Sequence, residues 1–385
     1  MTPAARKRIA VLGSTGSIGV QTLDVIAQMP ERFETAALAA CGNAEALLRQ
    51  CAQHRPKAVA LSDASHEEAY AAKFRALGAE PEFGAGALTR LIERIDADLV
   101  VVATVGFAGV EPTLAAIERG MTIALANKEV LVAAGEIVMP AARTRGVPIL
   151  PVDSEHNALF QCLGDAKPDR VKRLILTASG GPFRGWTREQ LAEVSVEQAL
   201  KHPTWDMGPK VTIDSATLLN KGLEVIEAHH LYGIDPDRID VLVHPQSLCH
   251  SMVEFIDGSI LAQIGPADMR LPIQYCLTWP ERCATHVPSL DWTQLSQLEF
   301  AAPDTETFRC LALAYRAVRT GGTLPAVLNA AGEIAVQKFL EGKIGFLDIA
   351  AGIERAMDAH QPIANPTLQD IIAADAAVRG ACASI

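Results

Sequence analysis

The feature of this sequence that most constrains its fold is a glycine-rich turn between a short apolar strand and an amphipathic helix. An apolar run at residues 8–12 precedes Gly13-Ser14-Thr15-Gly16-Ser17-Ile18-Gly19, and apolar residues then recur with helical spacing at 20–26. Glycines spaced by three permit a tight turn, close backbone approach to a pyrophosphate and close packing of helix on strand, with the anion at the helix N-terminus. The turn alone would be weak evidence, but its position between strand and helix predicts dinucleotide binding.

Further short apolar runs continue this pattern, with helical patterns between them. Continuous apolar runs are typical of strands that are buried on both faces of a parallel sheet. The runs are residues 35–40, 58–61, 99–103, 122–125 and 146–150. We therefore predict an α/β protein whose residues 1–150 form a Rossmann-like, NADPH-binding domain.

The choice of NADP over NAD follows from the end of the strand at 35–40. That strand is followed by Cys41-Gly42-Asn43 and not by the Asp or Glu that binds the ribose 2′-hydroxyl of NAD. Asn43 and Arg49 are candidates for contact with a 2′-phosphate. Arg49 is equally well explained as a solvated helix residue.

Two carboxylates stand directly after the last strand of this domain. In an extended backbone, Asp153 and Glu155 would share a face, with Ser154 pointing away. Hard oxygen ligands suit Mg²⁺ or Mn²⁺, and a third carboxylate would complete the set. A loop of solvated acids is the alternative interpretation of these residues.

A helix near residue 220 offers that third carboxylate. Its apolar residues fall on one side at helical spacing, whereas Asn220, Lys221 and Glu224 fall on the other, with Asp214 or Ser215 as the expected N-cap. We predict that Glu224 joins Asp153 and Glu155 and that Asn220 and Lys221 bind an anionic substrate. The alternative is an ordinary solvated helix face.

Two loops between these elements carry candidate substrate contacts. The turn Ala178-Ser179-Gly180-Gly181-Pro182-Phe183 is either an anion-binding nest or a plain turn. The 202–210 loop contains His202, Trp205 and Met207 together with two prolines, a composition that suggests a lid. A loop whose Trp205 simply packs on the body of the protein is the alternative.

The remaining sequence predicts a small open sheet and a helical bundle. Alternating segments at 239–243, 250–255 and 260–264 indicate strands, and an exposed edge of their sheet is a plausible place for two subunits to join. His244 and His250 lack convincing metal spacing and are interpreted as structural. Helices are predicted at 308–320, 326–340 and 346–359. The predicted central α+β domain for catalysis, metal binding and dimerisation is thus 151–279, followed by a linker at 280–304 and a helical domain at 305–385.

Composition excludes several function classes. A net charge of −11 argues against a nucleic-acid partner, and no apolar run reaches the ~18 residues of a membrane span. The eight cysteines show no Cys-x-x-Cys spacing, which favours reduced thiols over a zinc or redox site. No targeting segment is recognised at the N-terminus, so a cytoplasmic location is expected.

Six motifs in order resemble those of the 1-deoxy-D-xylulose 5-phosphate reductoisomerase family, nearly from end to end. They are Gly13-Ser14-Thr15-Gly16-Ser17-Ile18-Gly19, Ala126-Asn127-Lys128-Glu129, Asp153-Ser154-Glu155, Ser179-Gly180-Gly181-Pro182-Phe183, His202-Pro203-x-Trp205-x-Met207-Gly208, and Asp214-Ser215-Ala216-Thr217 through Asn220-Lys221-Gly222-x-Glu224. The resemblance implies a homodimeric enzyme that uses NADPH and Mg²⁺ or Mn²⁺. It would rearrange 1-deoxy-D-xylulose 5-phosphate and reduce it to 2-C-methyl-D-erythritol 4-phosphate in the non-mevalonate isoprenoid pathway.

The resemblance also implies a role for each matching residue. Metal ligands would be Asp153, Glu155 and Glu224, which with Lys128 and His202 form the catalytic set. Substrate contacts would be Lys128, Ser154, Glu155, Ser179, His202, Ser215, Asn220, Lys221 and Glu224. NADPH contacts would be Thr15, Gly16, Ser17, Ile18, Cys41, Gly42, Asn43, Asn127, Glu129 and Gly208.

One departure and two rival functions accompany this interpretation. Many relatives have a lysine where this chain has Gly42, so the group that neutralises the 2′-phosphate is an open question. The rivals are another NADP-dependent dehydrogenase of a small phosphorylated substrate and a non-catalytic NADP-binding sensor. A semialdehyde dehydrogenase would need a cysteine nucleophile, which Ala126-Asn127-Lys128 does not offer.

Overall fold

Apolar strands form two separate sheets in the computed structural model, which describes residues 5–205 and 207–383. The first sheet is parallel throughout, with the order β4-β3-β2-β1-β5-β6-β7, and the second has the order β11-β10-β8-β9. The strands are β1 Lys7–Leu12, β2 Phe33–Ala40, β3 Ala58–Leu61, β4 Glu80–Phe83, β5 Leu99–Val102, β6 Thr122–Leu125, β7 Ile149–Pro151, β8 Val171–Ala178, β9 Ile239–Val243, β10 Cys249–Phe255 and β11 Ile260–Ile264. The predicted Rossmann-like sheet and small open sheet are both confirmed.

Helices occupy most of the connections between strands and nearly all of the C-terminal region. They are α1 Ser17–Gln28, α2 Ala44–His54, α3 Glu67–Ala76, α4 Ala87–Arg94, α5 Val110–Glu118, α6 Glu129–Arg145, α7 Ser154–Leu163, α8 Arg188–Leu191, α9 Val196–Ala199, α10 Pro209–Ala216, α11 Leu219–Tyr232, α12 Arg270–Thr278, α13 Cys310–Thr320, α14 Leu324–Leu340, α15 Phe346–Ala359 and α16 Leu368–Ala383. Within the described residues, no helix has both the length and the hydropathy needed to cross a bilayer.

Contacts divide the chain into two compact units. The first comprises residues 1–130, 140–153 and 268–287, and the second comprises 131–139, 154–267 and 288–385. Helix α12 therefore belongs to the first unit, where Cys276 donates a hydrogen bond to the Pro151 carbonyl at 3.1 Å. The functional division at residues 150, 279 and 304 stays a prediction, because packing units do not assign functions.

The sheet of the first unit reverses its strand order at β1. Strands β2, β3 and β4 lie on one side of β1, and β5, β6 and β7 lie on the other. Open α/β sheets bind ligands at such a switch point, beyond the carboxyl ends of the strands. Gly13 follows β1 there with φ +86°, and a methyl group on its Cα would lie 2.2 Å from the Ala103 carbonyl oxygen. The close approach of two loops explains why this position requires glycine.

The core of the second unit lies between its sheet and its helices. Strand β8 pairs with β9 in parallel and with β10 antiparallel, and β11 is an edge strand. Helix α14 is buried on nearly all sides, since α13, α15 and α16 pack around it. Helix α16 was not predicted. The predicted C-terminal helical bundle is otherwise confirmed, with α14 beginning two residues earlier than expected.

Candidate active site

The glycine-rich turn leads into helix α1 without a side-chain cap. Gly16 is the N-cap, its backbone is extended, and no acidic residue lies in the first turn. The N-terminal N–H groups of α1 therefore suit an anion such as a pyrophosphate. Of the residues predicted to contact NADPH, Thr15 and Gly16 lie in this turn, and Ser17 and Ile18 begin α1. Buried Ser14 donates a hydrogen bond to Gln50 at 2.7 Å, which ties the turn to α2.

Asn43 has a structural role that its sequence position did not predict. Its side-chain oxygen accepts a hydrogen bond from the Ala46 N–H at 3.1 Å and so caps helix α2. Cys41 and Gly42, which precede it, are exposed. Arg49 is also exposed and lies 3.4 Å from Glu45, its neighbour one turn earlier on the same helix.

Asn127 lies at the end of β6 and fixes the loop that follows β5. Its side-chain nitrogen donates hydrogen bonds to Thr104 Oγ1 and the Gly106 carbonyl, both at 2.9 Å. Its side-chain oxygen is buried and has no hydrogen-bond partner within residues 5–205 and 207–383. A buried acceptor of this kind at the carboxyl edge of the sheet fits a ligand with an N–H or O–H donor.

Lys128 and Asp153 form a close, nearly buried ion pair inside the first unit. Their side chains are 11% and 10% exposed, and the lysine amine contacts Oδ2 of the aspartate directly. Glu129, predicted to contact NADPH, is buried and begins α6. The pair brings two predicted site residues together, and the charge of Asp153 is balanced by this lysine.

In the second unit, Glu155 and Glu224 approach the same amine. Lys221 Nζ lies 3.3 Å from Glu155 Oε1 and contacts Glu224 Oε2 more closely. Lys221 and Glu224 are 3% and 1% exposed, so the solvated helix face considered above is ruled out. Two carboxylates that converge on one cation at a buried position have the donor chemistry of a divalent-ion site.

The backbone that carries these carboxylates differs from the prediction. Glu155 lies in the first turn of α7, which begins at Ser154, so the expected extended geometry of residues 153–155 is wrong. Asp214 and Ser215 lie within α10 and do not cap the next helix. Leu218 is instead the N-cap of α11 and adopts the left-handed conformation, with φ +60°.

Neighbouring polar groups hold both carboxylates in place. Ser154 donates a hydrogen bond to Glu155 Oε2, and Asn220 donates one to Glu224 Oε1, each at 2.6 Å. Lys221 therefore shares its two acidic partners with Ser154 and Asn220. All five of these predicted residues belong to one hydrogen-bonded network.

Ser179, His202 and Ser215 form a second cluster in the same unit. His202 Nδ1 accepts hydrogen bonds from the Trp205 and Thr204 N–H groups, so the proton of the neutral ring lies on Nε2. Nε2 then donates to Ser179 Oγ at 2.9 Å, and Ser215 Oγ lies 3.5 Å from the same oxygen. Burial lowers the pKa of His202 from its ordinary value, which favours this neutral form.

The 202–210 loop is shorter than predicted, because Pro209 and Lys210 belong to α10. Asp206 lies outside the described residues. Trp205 and Met207 are half-buried, and the Trp205 ring lies 6.2 Å from that of His250. Gly208, predicted to contact NADPH, is exposed and serves as the N-cap of α10.

Three buried residues of the second unit were not predicted as site residues. His250 is 6% exposed, and burial lowers its pKa. His156 Nε2 lies 2.9 Å from the Glu224 carbonyl oxygen, and its Nδ1 lies 3.3 Å from Glu227 Oε2, so this pair fixes the backbone at Glu224. The sequence signals for this pair were the position of His156 next to Glu155 and that of Glu227 one helical turn after Glu224. His244, in contrast, accepts hydrogen bonds from the Leu248 and Cys249 N–H groups and packs against Phe300.

Three sequence-family models match the chain. The model of 1-deoxy-D-xylulose 5-phosphate reductoisomerase matches residues 9–135, and the model of its C-terminal domain matches residues 149–232. A further model, DXP reductoisomerase C-terminal domain, matches residues 264–381. The chain belongs to the 1-deoxy-D-xylulose 5-phosphate reductoisomerase family.

Individual reductoisomerases are similar over almost the whole chain. Those of Symbiobacterium thermophilum and Xanthomonas campestris pv. campestris are 54% and 52% identical, and each alignment covers 98% of this chain and at least 96% of the relative. The solved reductoisomerase of Zymomonas mobilis with NADPH has 46% identity and a TM-score of 0.92, with 99% of each chain covered. A reductoisomerase solved with NADPH, fosmidomycin and magnesium has 40% identity and a TM-score of 0.94, with 98% of each chain covered. Neither rival function is favoured.

The donor sets of this reductoisomerase-family chain fit both implied groups. Glu155 and Glu224 present carboxylate oxygens to a common cation, which is the ligand chemistry of Mg²⁺ or Mn²⁺. The uncapped α1 N-terminus and the buried Asn127 oxygen fit the phosphates and polar groups of NADPH. The hard carboxylate oxygens of this network suit these two ions better than they suit soft metals.

Proposed function

We propose that this chain converts 1-deoxy-D-xylulose 5-phosphate to 2-C-methyl-D-erythritol 4-phosphate, using NADPH and Mg²⁺ or Mn²⁺. The observation that carries this proposal is the approach of Glu155 and Glu224 to the buried Lys221 amine. This arrangement offers ligands for a divalent ion and a cation for an anionic substrate. Membership of the reductoisomerase family supports the specific reaction.

The proposed metal ligands are Asp153, Glu155 and Glu224. When bound, the divalent ion supplies Lewis-acid stabilisation of the oxygen charge that develops during the rearrangement. Lys128 neutralises the charge of Asp153, and Lys221 neutralises that of the two glutamates. Each amine would be able to exchange a carboxylate oxygen for an oxygen of the substrate. Ser154 and Asn220 orient the glutamates through their hydrogen bonds.

The proposed substrate contacts are Lys128, Ser154, Glu155, Ser179, His202, Ser215, Asn220, Lys221 and Glu224. Ser179, His202 and Ser215 supply hydroxyl and imidazole groups for the phosphate, together with the amine of Lys221. Binding the phosphate away from the reacting carbons orients those carbons and contributes binding energy to the reaction. Because Nδ1 of His202 accepts backbone hydrogen bonds, the neutral ring carries its proton on Nε2 and can donate it in a hydrogen bond to the phosphate.

The proposed NADPH contacts lie mainly at the carboxyl ends of β1, β2 and β6. Thr15–Ile18 would bind the pyrophosphate, Cys41–Asn43 the adenosine ribose, and Asn127 with Glu129 the nicotinamide half. Gly208 is a further proposed contact. Bound NADPH supplies the hydride that reduces the rearranged aldehyde.

Trp205 is proposed to cover the bound substrate, as part of a lid with Met207. We expect Trp205→Ala to lower kcat/KM by about 10- to 100-fold, because water would reach the reacting groups and the substrate would be held less precisely. The thermal unfolding midpoint should change little. Trp292→Ala is the matched control, since Trp292 is 62% exposed and should affect neither quantity. A large fall in the unfolding midpoint with unchanged turnover would instead assign Trp205 a structural role.

The proposal includes a cytoplasmic homodimer joined at strand β11. This edge strand exposes Ile260 and Leu261, which are 52% and 50% accessible. Such an edge, left open, would favour pairing with a second copy. Leu261→Glu should therefore convert the dimer into a 41.0 kDa monomer in sedimentation experiments. Leu77→Glu is the control and should leave the dimer intact, since Leu77 is an exposed leucine at the C-cap of α3. A dimer that persists in Leu261→Glu would place the interface elsewhere.

The functional division follows from these assignments. We propose that residues 1–150 bind NADPH and that 151–279 carry catalysis, metal binding and dimerisation. Residues 280–304 would link this region to the helical domain at 305–385. These boundaries express roles in the reaction and need not coincide with the packing units.

An assay of NADPH oxidation tests the function directly. The absorbance of NADPH should fall when the protein is mixed with NADPH, 1-deoxy-D-xylulose 5-phosphate and Mg²⁺ or Mn²⁺. Mass spectrometry should then detect 2-C-methyl-D-erythritol 4-phosphate. Chelation of the metal should stop the reaction. NADPH binding without turnover on this substrate would contradict the assignment.

A further inference from the structure

The end of β2 lacks a cation where an NADP-dependent protein needs one. The ribose of a dinucleotide lies near this strand end in Rossmann-like sheets, and a nearby Arg commonly accommodates the 2′-phosphate. Here the strand is followed by Cys41-Gly42-Asn43, none of which is positively charged. The side-chain oxygen of Asn43 already accepts the capping hydrogen bond of α2. Any charge for the 2′-phosphate must therefore come from neighbouring elements.

His66 stands directly beside Gly42. A methyl group on Gly42 Cα would lie 4.0 Å from His66 Nε2, and the histidine side chain is 31% exposed. The Asp63 N–H donates a hydrogen bond to the Cys41 carbonyl at 3.0 Å, which fixes the 3₁₀ turn carrying His66 against the end of β2. Residue 42 has no side chain, and the nearest atom to an added Cβ is Asp63 Oδ2 at 3.7 Å, so a bound group has room beside the imidazole.

Arg49 belongs to the same surface network as His66. The His66 ring meets Tyr70 edge-on at 5.8 Å, and the Tyr70 hydroxyl donates a hydrogen bond to Glu45 at 3.2 Å. Glu45 in turn lies 3.4 Å from Arg49, whose side chain is 68% exposed. The other carboxylate in this network is Asp63, 3.6 Å from His66 Nε2. The 3₁₀ turn before α3 thus presents an imidazole and helix α2 presents a guanidinium, each next to a carboxylate that a phosphate would replace.

We propose that His66 and Arg49 together recognise the 2′-phosphate of NADPH, in place of a charged side chain at position 42. This inference rests on the proposed NADPH-dependent function and names the residues that select NADPH over NADH. His66 supplies an imidazole N–H and Arg49 a guanidinium, both of which bind phosphate oxygens well. His66 lies in the 3₁₀ turn held against the end of β2, and Arg49 lies on α2, the helix that follows that strand.

Direct binding measurements with NADPH and NADH test the assignment. We expect His66→Ala and Arg49→Ala each to raise the Kd for NADPH by about 10-fold, the usual effect of losing one charged hydrogen bond, with the Kd for NADH within about twofold of wild type. Arg75→Ala is the matched control, because Arg75 is an exposed cation of α3 that lies 3.4 Å from Glu80. It should leave both constants unchanged. Retained NADH binding in each variant also shows that the first unit is folded.

A rescue variant locates the phosphate more closely. Position 42 has space for a side chain, since the nearest atoms to an added Cβ are 3.7–4.0 Å away. Gly42→Lys introduced into His66→Ala should restore most of the NADPH preference. If it does not, or if the NADPH-to-NADH affinity ratio of the His66→Ala/Arg49→Ala double variant equals that of wild type, the inference is wrong. Wild-type protein that binds neither nucleotide would instead refute the proposed function itself.

Discussion

Replacement of Glu224 by glutamine is expected to abolish metal-dependent turnover while leaving NADPH binding intact. Glutamine keeps the length of the side chain and an oxygen for the Asn220 hydrogen bond, but it removes the charge that a divalent ion requires. Lewis-acid stabilisation is worth several kcal/mol, so kcat/KM should fall about 100-fold or more. Mn²⁺ affinity, measured by electron paramagnetic resonance of the free ion, should fall in parallel.

The control for Glu224→Gln is a glutamate that lies outside the network. Glu193 is exposed in the same unit, and Glu193→Gln removes the same charge. We expect it to change neither Mn²⁺ affinity nor turnover. Wild-type turnover and Mn²⁺ affinity in Glu224→Gln would refute the assignment of Glu224 as a ligand. Loss of NADPH affinity in that variant would show that the substitution acts beyond the metal site.

Replacement of Lys221 by methionine is expected to destabilise the metal-free protein strongly. Lys221 is the cation that Glu155 and Glu224 share, and methionine would leave both carboxylates without it at a largely buried position. Removal of one partner from a buried ion pair typically costs about 3–5 kcal/mol. Calorimetry in the presence of a chelator should therefore show a clearly lower unfolding temperature than for wild type.

Added Mn²⁺ should distinguish this effect from a simple packing defect. A divalent ion would replace the missing positive charge, so Mn²⁺ should raise the unfolding temperature of Lys221→Met more than that of wild type. Lys201→Met is the control, because Lys201 and Glu197 form an exposed pair with 70% and 82% accessible side chains. Such pairs contribute little. An equal Mn²⁺ shift in wild type and Lys221→Met would contradict the proposed balance of charge.

Local patterns were sufficient to predict the parallel sheet of the first unit. Strands that are buried on both faces have to be apolar throughout, and a tight turn against a neighbouring strand has to be glycine, so both requirements are visible in the sequence. The turn at Gly13 illustrates this, because its role follows from the residues on either side. Ordered motifs likewise sufficed to predict the family, which the comparisons show.

Properties that depend on distant contacts could not be predicted in this way. The sequence suggested an extended backbone at residues 153–155, whereas α7 begins at Ser154. It left open whether the polar face of α11 is solvated, and packing within the second unit buries Lys221 and Glu224. Helix α12 joins the first unit through contacts with residues more than a hundred positions away. Burial and partner choice are set by such long-range packing, which short sequence windows do not contain.

For the site, the sequence by itself determined which residue types are available and the order in which they occur. It identified the carboxylates at 153, 155 and 224, the lysine at 221 and the absence of a charged side chain at 42. Only the tertiary structure decided that Glu155 and Glu224 share Lys221, that His202 donates through Nε2, and that His66 stands beside Gly42. The reason is physical: charge balance and hydrogen-bond direction depend on distances between atoms that the folded chain alone brings together.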